Sequence, residues 1–142
     1  MELKACVLDD LPPGTGPTQE CFDAYNATFV RDESGDDMPA DPYYPERGYY
    51  SGGQSGDKNQ FTMVFKLPKG AYGSRVLLQW RYITANSCSP PGYARYFADN
   101  NLPGSYWTQG VTTCSVPYPQ DGTRSSVWPE QFFNCAEGEF VQ

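Results

Sequence analysis

The stretch Val76–Cys88, VLLQWRYITANSC, decides the fold of this chain. Its first nine residues contain neither glycine nor proline and are mostly apolar, aromatic or β-branched, which is typical of a buried strand. Side chains alternate between the two faces of a strand, so Leu78, Trp80 and Tyr82 share one face. Trp80 has the largest side chain in the stretch, and we expect it at the centre of the core, with neighbouring strands packed around it.

The rest of the chain also favours strands joined by turns. It contains 14 glycines and 13 prolines, and aromatic residues make up 15% of it. This mixture is typical of a β-protein with long loops, and no stretch shows helical periodicity. The further strands that we expect are Glu2–Leu8, Tyr25–Val30, Gln60–Leu67 and Glu137–Val141. Together they predict one all-β domain over residues 1–142, an immunoglobulin-like or fibronectin III-like β-sandwich, whole or in part, with long loops at 31–58 and 89–130.

The five cysteines indicate a secreted protein with disulfides and one unpaired thiol. Cys6 and Cys21 bracket a loop that is dense in proline and glycine, and a bridge between them would close about 15 residues. If the last expected strand pairs antiparallel with the Trp80 strand, the end of one lies beside the start of the other. We therefore favour a Cys88–Cys135 bridge, which leaves Cys114 unpaired. The rival pairing is Cys88–Cys114, which would leave Cys135 unpaired.

Charge and composition exclude several functions. A net charge of −7 argues against nucleic acid and anionic membranes as partners, and no apolar run approaches the roughly 20 residues of a membrane span. The chain contains no histidine, so Ser–His and Cys–His nucleophile arrangements are absent, and we expect no enzymatic activity from the chain as it stands. Carboxylate pairs such as Glu130 with Glu137, or Asp9 with Asp10, are interpreted as solvated surface groups rather than as a glycosidase pair.

Two short motifs bear on metal binding and on glycosylation. The acidic stretch Asp32–Asp37 offers oxygen ligands for Ca²⁺ but lacks the spacing of an EF-hand loop, so a solvated loop is the preferred interpretation and we expect no metal site. Asn26 begins the sequence Asn-Ala-Thr, the acceptor pattern for N-glycosylation, which is compatible with a secreted, extracellular glycoprotein.

Three motifs in order resemble a known family. VLLQWRYITANSC, the closing PEQFFNCAEGEF and the corner Glu20-Cys21-Phe22-Asp23 resemble the C-terminal half of the chitin-binding type-4 domain, the scaffold of lytic polysaccharide monooxygenases. The resemblance implies a β-sandwich and contact with polysaccharide. That family holds copper between an N-terminal histidine and a second histidine, and this chain has none, so copper is expected only if a complementary N-terminal half supplies both. Phe132 or Phe133 falls near the aromatic residue beside the copper, and without copper we expect that ring in the core.

The function expected from these observations is non-catalytic binding of a chitin-like or cellulose-like polysaccharide. Exposed aromatic rings stack on the apolar faces of sugars, although large rings are more often buried, and here they could instead cover the sandwich. The candidate carbohydrate-binding residues are Tyr43, Tyr44, Tyr49, Tyr50, Tyr106 and Trp107. Two alternatives remain at this point: a structural subunit of an extracellular matrix or filament, which self-assembles or binds a complementary half, and a fragment of a copper monooxygenase.

Overall fold

The computed structural model describes residues 1–50, 60–102, 112–116 and 127–141. Within these residues the chain is built mostly from strands. The elements in chain order are β1 (Glu2–Val7), a 3-10 turn (Leu8–Asp10), α1 (Gln19–Asp23), β2 (Tyr25–Asn26), β3 (Thr28–Asp32), β4 (Met63–Lys66), β5 (Gly73–Ile83), α2 (Tyr93–Asp99) and β6 (Gln131–Phe140). No helix among the described residues has the length and hydropathy needed to cross a membrane.

The strands form two antiparallel sheets. One has four strands in the order β2-β1-β5-β6, and the other pairs β3 with β4. The VLLQW stretch lies in β5, between β1 and β6, where Trp80 has Leu3 and Asn134 as its Cα partners. The all-β class and the interior position of this strand are therefore confirmed.

One face of the four-stranded sheet carries a small, tightly closed core. Ala5 and Val7 of β1 and Val76 of β5 are at most 2% exposed, and Ala71 packs against them from the turn that precedes β5. The partly buried side chains around them are Tyr25, Leu67, Leu78 and Phe140. This core therefore occupies the end of the face where β5 begins.

The opposite face of this sheet is covered in part by α1. Thr18 caps the helix by accepting a hydrogen bond from the Cys21 N–H at 3.3 Å. The Cys6–Cys21 disulfide, which was predicted from the sequence, ties this helix to β1. A salt bridge between Lys4 and Asp23 adds a second link. A five-residue helix is too short to be stable alone, so these tertiary links hold it in place.

A second core consists of four buried aromatic side chains and one methionine, and three of the aromatic side chains come from α2. Tyr93, Tyr96 and Phe97 lie on one side of this helix at i, i+3 and i+4, and they pack with Met38 and Tyr49. The rings of Tyr49 and Tyr96 stack with centroids 3.6 Å apart and an interplanar angle of 12°. The residues of α2 were expected in a long loop, because a seven-residue helix gives too little periodicity to be detected from sequence.

The preferred disulfide pairing was wrong. Cys88 is bonded to Cys114, and Cys135 has an exposed free thiol. The reason is that β6 begins at Gln131, six positions earlier than expected, so its register places Cys135 opposite Gln79 in the middle of β5. Cys88 lies beyond the end of β5, out of line with β6.

The expected central position of Trp80 in the core was also wrong. Its side chain is 37% exposed, whereas Val76 on the same strand face is fully buried. Phe132 and Phe133, one of which we expected in the core, are 49% and 40% exposed. The core on the face that carries Trp80 lies around Val76, near the start of β5, so this face changes from buried to exposed along the strand.

Gly48 offers a direct test of the packing between β3, β4 and the preceding loop. A Cβ atom at this position would lie 2.8 Å from both Met63 Sδ and Phe29 Cδ2. We expect Gly48→Ala to lower the free energy of unfolding by about 2 kcal/mol through overpacking, measured by urea denaturation. Gly16→Ala is the matched control, since nothing lies within 4 Å of its Cβ position. Equal stability of the two variants would contradict this packing.

Candidate functional site

An exposed row of three aromatic rings crosses β5 and β6. Trp80 and Tyr82 project from the same face of β5 because they are two residues apart, and Phe132 of β6 is the Cα partner of Tyr82. The ring centroids of Trp80 and Tyr82 are 6.0 Å apart, and so are those of Tyr82 and Phe132. Their interplanar angles of 18° and 24° make the three rings nearly parallel. We call Trp80, Tyr82 and Phe132 the aromatic row.

The two ends of the aromatic row are open to solvent and its middle is partly buried. Trp80 and Phe132 are both exposed, and Tyr82 is half-buried between them. Burial raises the pKa of the Tyr82 phenol, and the nearby Tyr50 phenol raises it further. Tyr82 therefore stays neutral at physiological pH and can both donate and accept a hydrogen bond.

A second aromatic pair lies close to the row. Tyr50 packs edge-to-face against Phe61, with ring centroids 4.3 Å apart, and it lies near enough to Tyr82 to affect the pKa of that phenol. Both side chains are half-buried.

Asn134 places a polar group beside Trp80. It is the Cα partner of Trp80 and lies on the same sheet face, where its side chain is exposed. Its Oδ1 accepts a hydrogen bond from the Cys135 N–H at 2.9 Å, which fixes the amide and turns its NH₂ group away from that contact. This amide can donate to a hydroxyl group held against the rings.

The sheet face that carries the aromatic row is uncharged over three strands. By alternation, the positions on this face are Leu3, Ala5 and Val7 of β1, Val76, Leu78, Trp80 and Tyr82 of β5, and Phe132, Asn134, Ala136 and Gly138 of β6. Charged partners such as Arg81 with Glu2, and Arg75 with Glu137, lie on the other face. An uncharged aromatic surface suits a neutral ligand better than an ionic one.

The sequence suggested five tyrosines and one tryptophan for carbohydrate contact, and the structure places those that it describes in different surroundings. Tyr49 is 2% exposed and donates a hydrogen bond to Asp41 Oδ2 at 2.8 Å, so it is a core residue. The Arg47 guanidinium covers the ring of half-buried Tyr44 at 3.8 Å from its centroid. Tyr50 flanks the aromatic row as described above.

One other candidate is described, and the remaining pair lies outside the described residues. Tyr43 is 71% exposed, but it stands against the Arg95 guanidinium at 4.0 Å, away from the uncharged sheet face. Tyr106 and Trp107 lie outside the described residues. Of the four predicted residues that the structure describes, Tyr50 is the one that lies within electrostatic range of the aromatic row.

The row was not predicted from the sequence, because Trp80 and one of Phe132 and Phe133 were expected in the core. A signal was present in β6, where Phe132 alternates with Asn134 and Gly138 on one face. A polar residue and a glycine among the alternating positions of one face are unusual for a buried face, and they indicate solvent exposure.

The acidic stretch Asp32–Asp37 forms local contacts. Asp32 accepts a hydrogen bond from the Ser34 N–H at 2.8 Å, and Glu33 pairs with Arg31. Across the described ranges, no three carboxylate or cysteine side chains are grouped so that they could hold a metal ion. Asn26, the candidate glycosylation site, is exposed on β2.

Comparison with known proteins gives no relative from which a role could be transferred. No protein-family model matches the chain, and neither a curated protein nor a solved structure matches it. Function is therefore inferred from the chemistry of the aromatic row and its surroundings.

Proposed function

We propose that this chain is a secreted, non-catalytic domain that binds a neutral polysaccharide of the chitin or cellulose type. The observation that carries the proposal is the aromatic row: three nearly parallel rings, two of them open to solvent, on an uncharged sheet face. The C–H groups on the faces of a pyranose ring stack on such aromatic surfaces, while the hydroxyl groups at its rim need polar partners.

The polar partners are beside the rings. The Asn134 amide and the Tyr82 hydroxyl can bond sugar hydroxyls without introducing a charge. A net charge of −7 opposes binding to acidic polysaccharides, so it favours neutral chains. A few placed polar groups on an apolar surface give orientation and specificity.

The scaffold that we propose is the immunoglobulin-like sandwich of the chitin-binding type-4 domain, which the sequence motifs resemble. Copper chemistry does not fit these residues, because the chain contains no histidine and the described residues hold no cluster of metal ligands. The Cys6–Cys21 and Cys88–Cys114 disulfides support an oxidising compartment and hence secretion.

Retention on insoluble chitin and cellulose tests the proposal. We expect Trp80→Ala and Phe132→Ala each to weaken binding by about thirtyfold, which corresponds to about 2 kcal/mol for an aromatic contact residue. Adsorption isotherms measure the affinity, and urea denaturation of each variant checks that the sheet remains folded. The matched control is Tyr43→Ala, which removes a more exposed ring outside the row and should bind like the wild type.

Two results would contradict the proposal. One is the absence of measurable adsorption by the folded wild-type chain to either polysaccharide. The other is adsorption that Trp80→Ala and Phe132→Ala leave unchanged, since it would place binding away from the row.

A further inference from the structure

The strand β6 has an open edge. It is ten residues long and pairs with β5 on one side, while no strand among the described residues pairs with its other side. The six consecutive residues from Phe132 to Glu137 are exposed, so both faces of the strand are open as well as its edge.

Hydrogen bonding at the end of the ladder shows which backbone groups point outward. The Thr84 N–H donates to the Glu130 carbonyl at 3.0 Å, in line with the β5–β6 register. In an antiparallel pair every second residue bonds to the partner strand, so the even-numbered residues of β6 face β5. The N–H and C=O groups of Phe133, Cys135 and Glu137 therefore point away from the sheet.

The side-chain contact of Asn134 agrees with this assignment. Its Oδ1 accepts from the Cys135 N–H, a donor that the ladder to β5 does not use. This N–H therefore belongs to the outward edge, and a nearby side chain satisfies it in the single chain.

The edge lacks the usual protection against pairing. The β6 sequence QFFNCAEGEF contains no lysine and no proline, and its register with β5 is regular from Gly138 to Gln131. The one acidic residue within the exposed run, Glu137, is paired with Arg75 through a 2.9 Å contact between Nε and Oε1. The other acidic residue of β6, Glu139, lies near the end of the strand, and a long, regular edge with this little charge is a template for another strand.

We propose that the partner strand is β6 of a second copy of this chain, antiparallel, with the two Cys135 residues facing each other at a two-fold axis. In this register Phe133 lies opposite Glu137 of the second copy, and Phe132 lies opposite Gly138, which leaves room for the ring. No two like charges face each other. A register centred on Glu137 would place two carboxylates opposite each other, at a cost in stability.

The central part of this interface supplies about six backbone hydrogen bonds, two for each of three facing pairs. The pairs are Cys135 with Cys135, and Phe133 with Glu137 in both directions. The other edge of the sheet is β2, which has only two residues, so the assembly closes as a dimer instead of growing into a filament.

The dimer has a consequence for binding, which rests on the proposed function. A two-fold axis between antiparallel strands of one sheet is perpendicular to that sheet, so both aromatic rows lie on the same face. Two rows on one surface can bind one polysaccharide surface together, and this raises the apparent affinity without any new contact.

The test uses the full chain without polysaccharide, so its result is independent of the proposed function. Sedimentation equilibrium in buffer without reductant, at up to about 100 µM, should give twice the monomer mass of 15.9 kDa. Diamide should then join the two Cys135 residues. The two thiols lose two protons and two electrons, the S–S bond forms, and the diazene is reduced to the hydrazine.

Two substitutions at Cys135 separate the backbone from the thiol. Cys135→Pro removes the outward N–H and spares the bonds to β5, so the dimer should dissociate about thirtyfold more readily, corresponding to two lost hydrogen bonds. Cys135→Ser keeps the N–H, so it should dimerise normally and fail to cross-link. Thermal unfolding checks that the proline variant is folded.

Three outcomes would overturn the proposal. They are a monomeric wild type at about 100 µM, a dimer that Cys135→Pro does not weaken, and a dimer in which diamide forms no Cys135 cross-link. A monomeric wild type would mean that any strand that pairs with the edge of β6 comes from a different protein.

Discussion

Replacing Asp41 by asparagine is expected to lower the free energy of unfolding by about 3 kcal/mol at pH 7. The Asp41 side chain is completely buried, and both of its oxygens lie 2.8 Å from Arg95 Nη2. It also accepts hydrogen bonds from the Tyr49 hydroxyl at 2.8 Å and from the Tyr43 N–H at 2.9 Å. The neutral amide leaves Arg95 without its counter-charge. Because the Arg95 side chain is 32% exposed, we take the lower end of the range for broken buried pairs.

The loss should depend on pH in a defined direction. Burial by itself would raise the pKa of Asp41, but the hydrogen bonds from Arg95, Tyr43 and Tyr49 outweigh it and hold the pKa below the ordinary value of 3.8. A lowered folded-state pKa stabilises the fold fully above pH 3.8, and the contribution disappears as the pH falls through the lowered pKa. The difference between wild type and Asp41→Asn should therefore be largest near neutral pH and shrink in acid.

Urea denaturation at several pH values measures this difference. Asp37→Asn is the matched control, because Asp37 is exposed and asparagine tolerates its positive φ of 50°. A variant as stable as the control at pH 7, or a difference that grows in acid, would contradict the role that we assign to Asp41. Loss of Asp41 should also loosen the aromatic core, since Tyr49 packs there against Tyr93, Tyr96 and Phe97.

Removing the Cys88–Cys114 disulfide should be about as costly. The bond closes a loop of 26 residues, and the chain-entropy model gives about 3.5 kcal/mol of stabilisation for that length. The bridge also holds Ser89 beside Thr112 and Cys114, where the Ser89 N–H donates to Thr112 O at 2.8 Å and the Cys114 N–H donates to Ser89 O at 2.9 Å. We expect the double variant Cys88→Ala/Cys114→Ala to lose this free energy in urea denaturation.

Cys135→Ser is the control for the disulfide experiment. It removes the remaining thiol, which is exposed and forms no bridge, so its free energy of unfolding measured without reductant at low protein concentration should match the wild type. If Cys135→Ser were destabilised as much as the double variant, the pairing of Cys88 with Cys114 would be wrong. Peptide mapping under non-reducing conditions identifies the bonded cysteines independently.

The two structural predictions and the binding proposal concern separate parts of the chain. Asp41 and the Cys88–Cys114 bridge stabilise the region around α2, while the aromatic row lies on β5 and β6. Variants of Asp41 that remain folded should therefore keep their affinity for polysaccharide. Such variants distinguish a loss of binding that comes from unfolding from one that comes from the row itself.

The sequence by itself determined the local features of this protein. The absence of glycine and proline from Val76 to Ile83, together with the β-branched and aromatic residues there, was enough to predict β5. Alternation correctly predicted that Trp80 and Tyr82 share a face. The Cys6–Cys21 bridge was predictable because its two ends are close in the chain and a short turn separates them.

Only the tertiary structure decided which surfaces are covered and which distant residues meet. Alternation shows that residues share a face, but burial depends on what packs on that face. Here the packed core covers Val76 and leaves Trp80 exposed. The partner of Cys88 depended on where β6 begins and on its register, which shifts every facing pair along the strand. The helix α2 formed because Tyr93, Tyr96 and Phe97 bury their rings against Met38 and Tyr49, and no local pattern contains that contact.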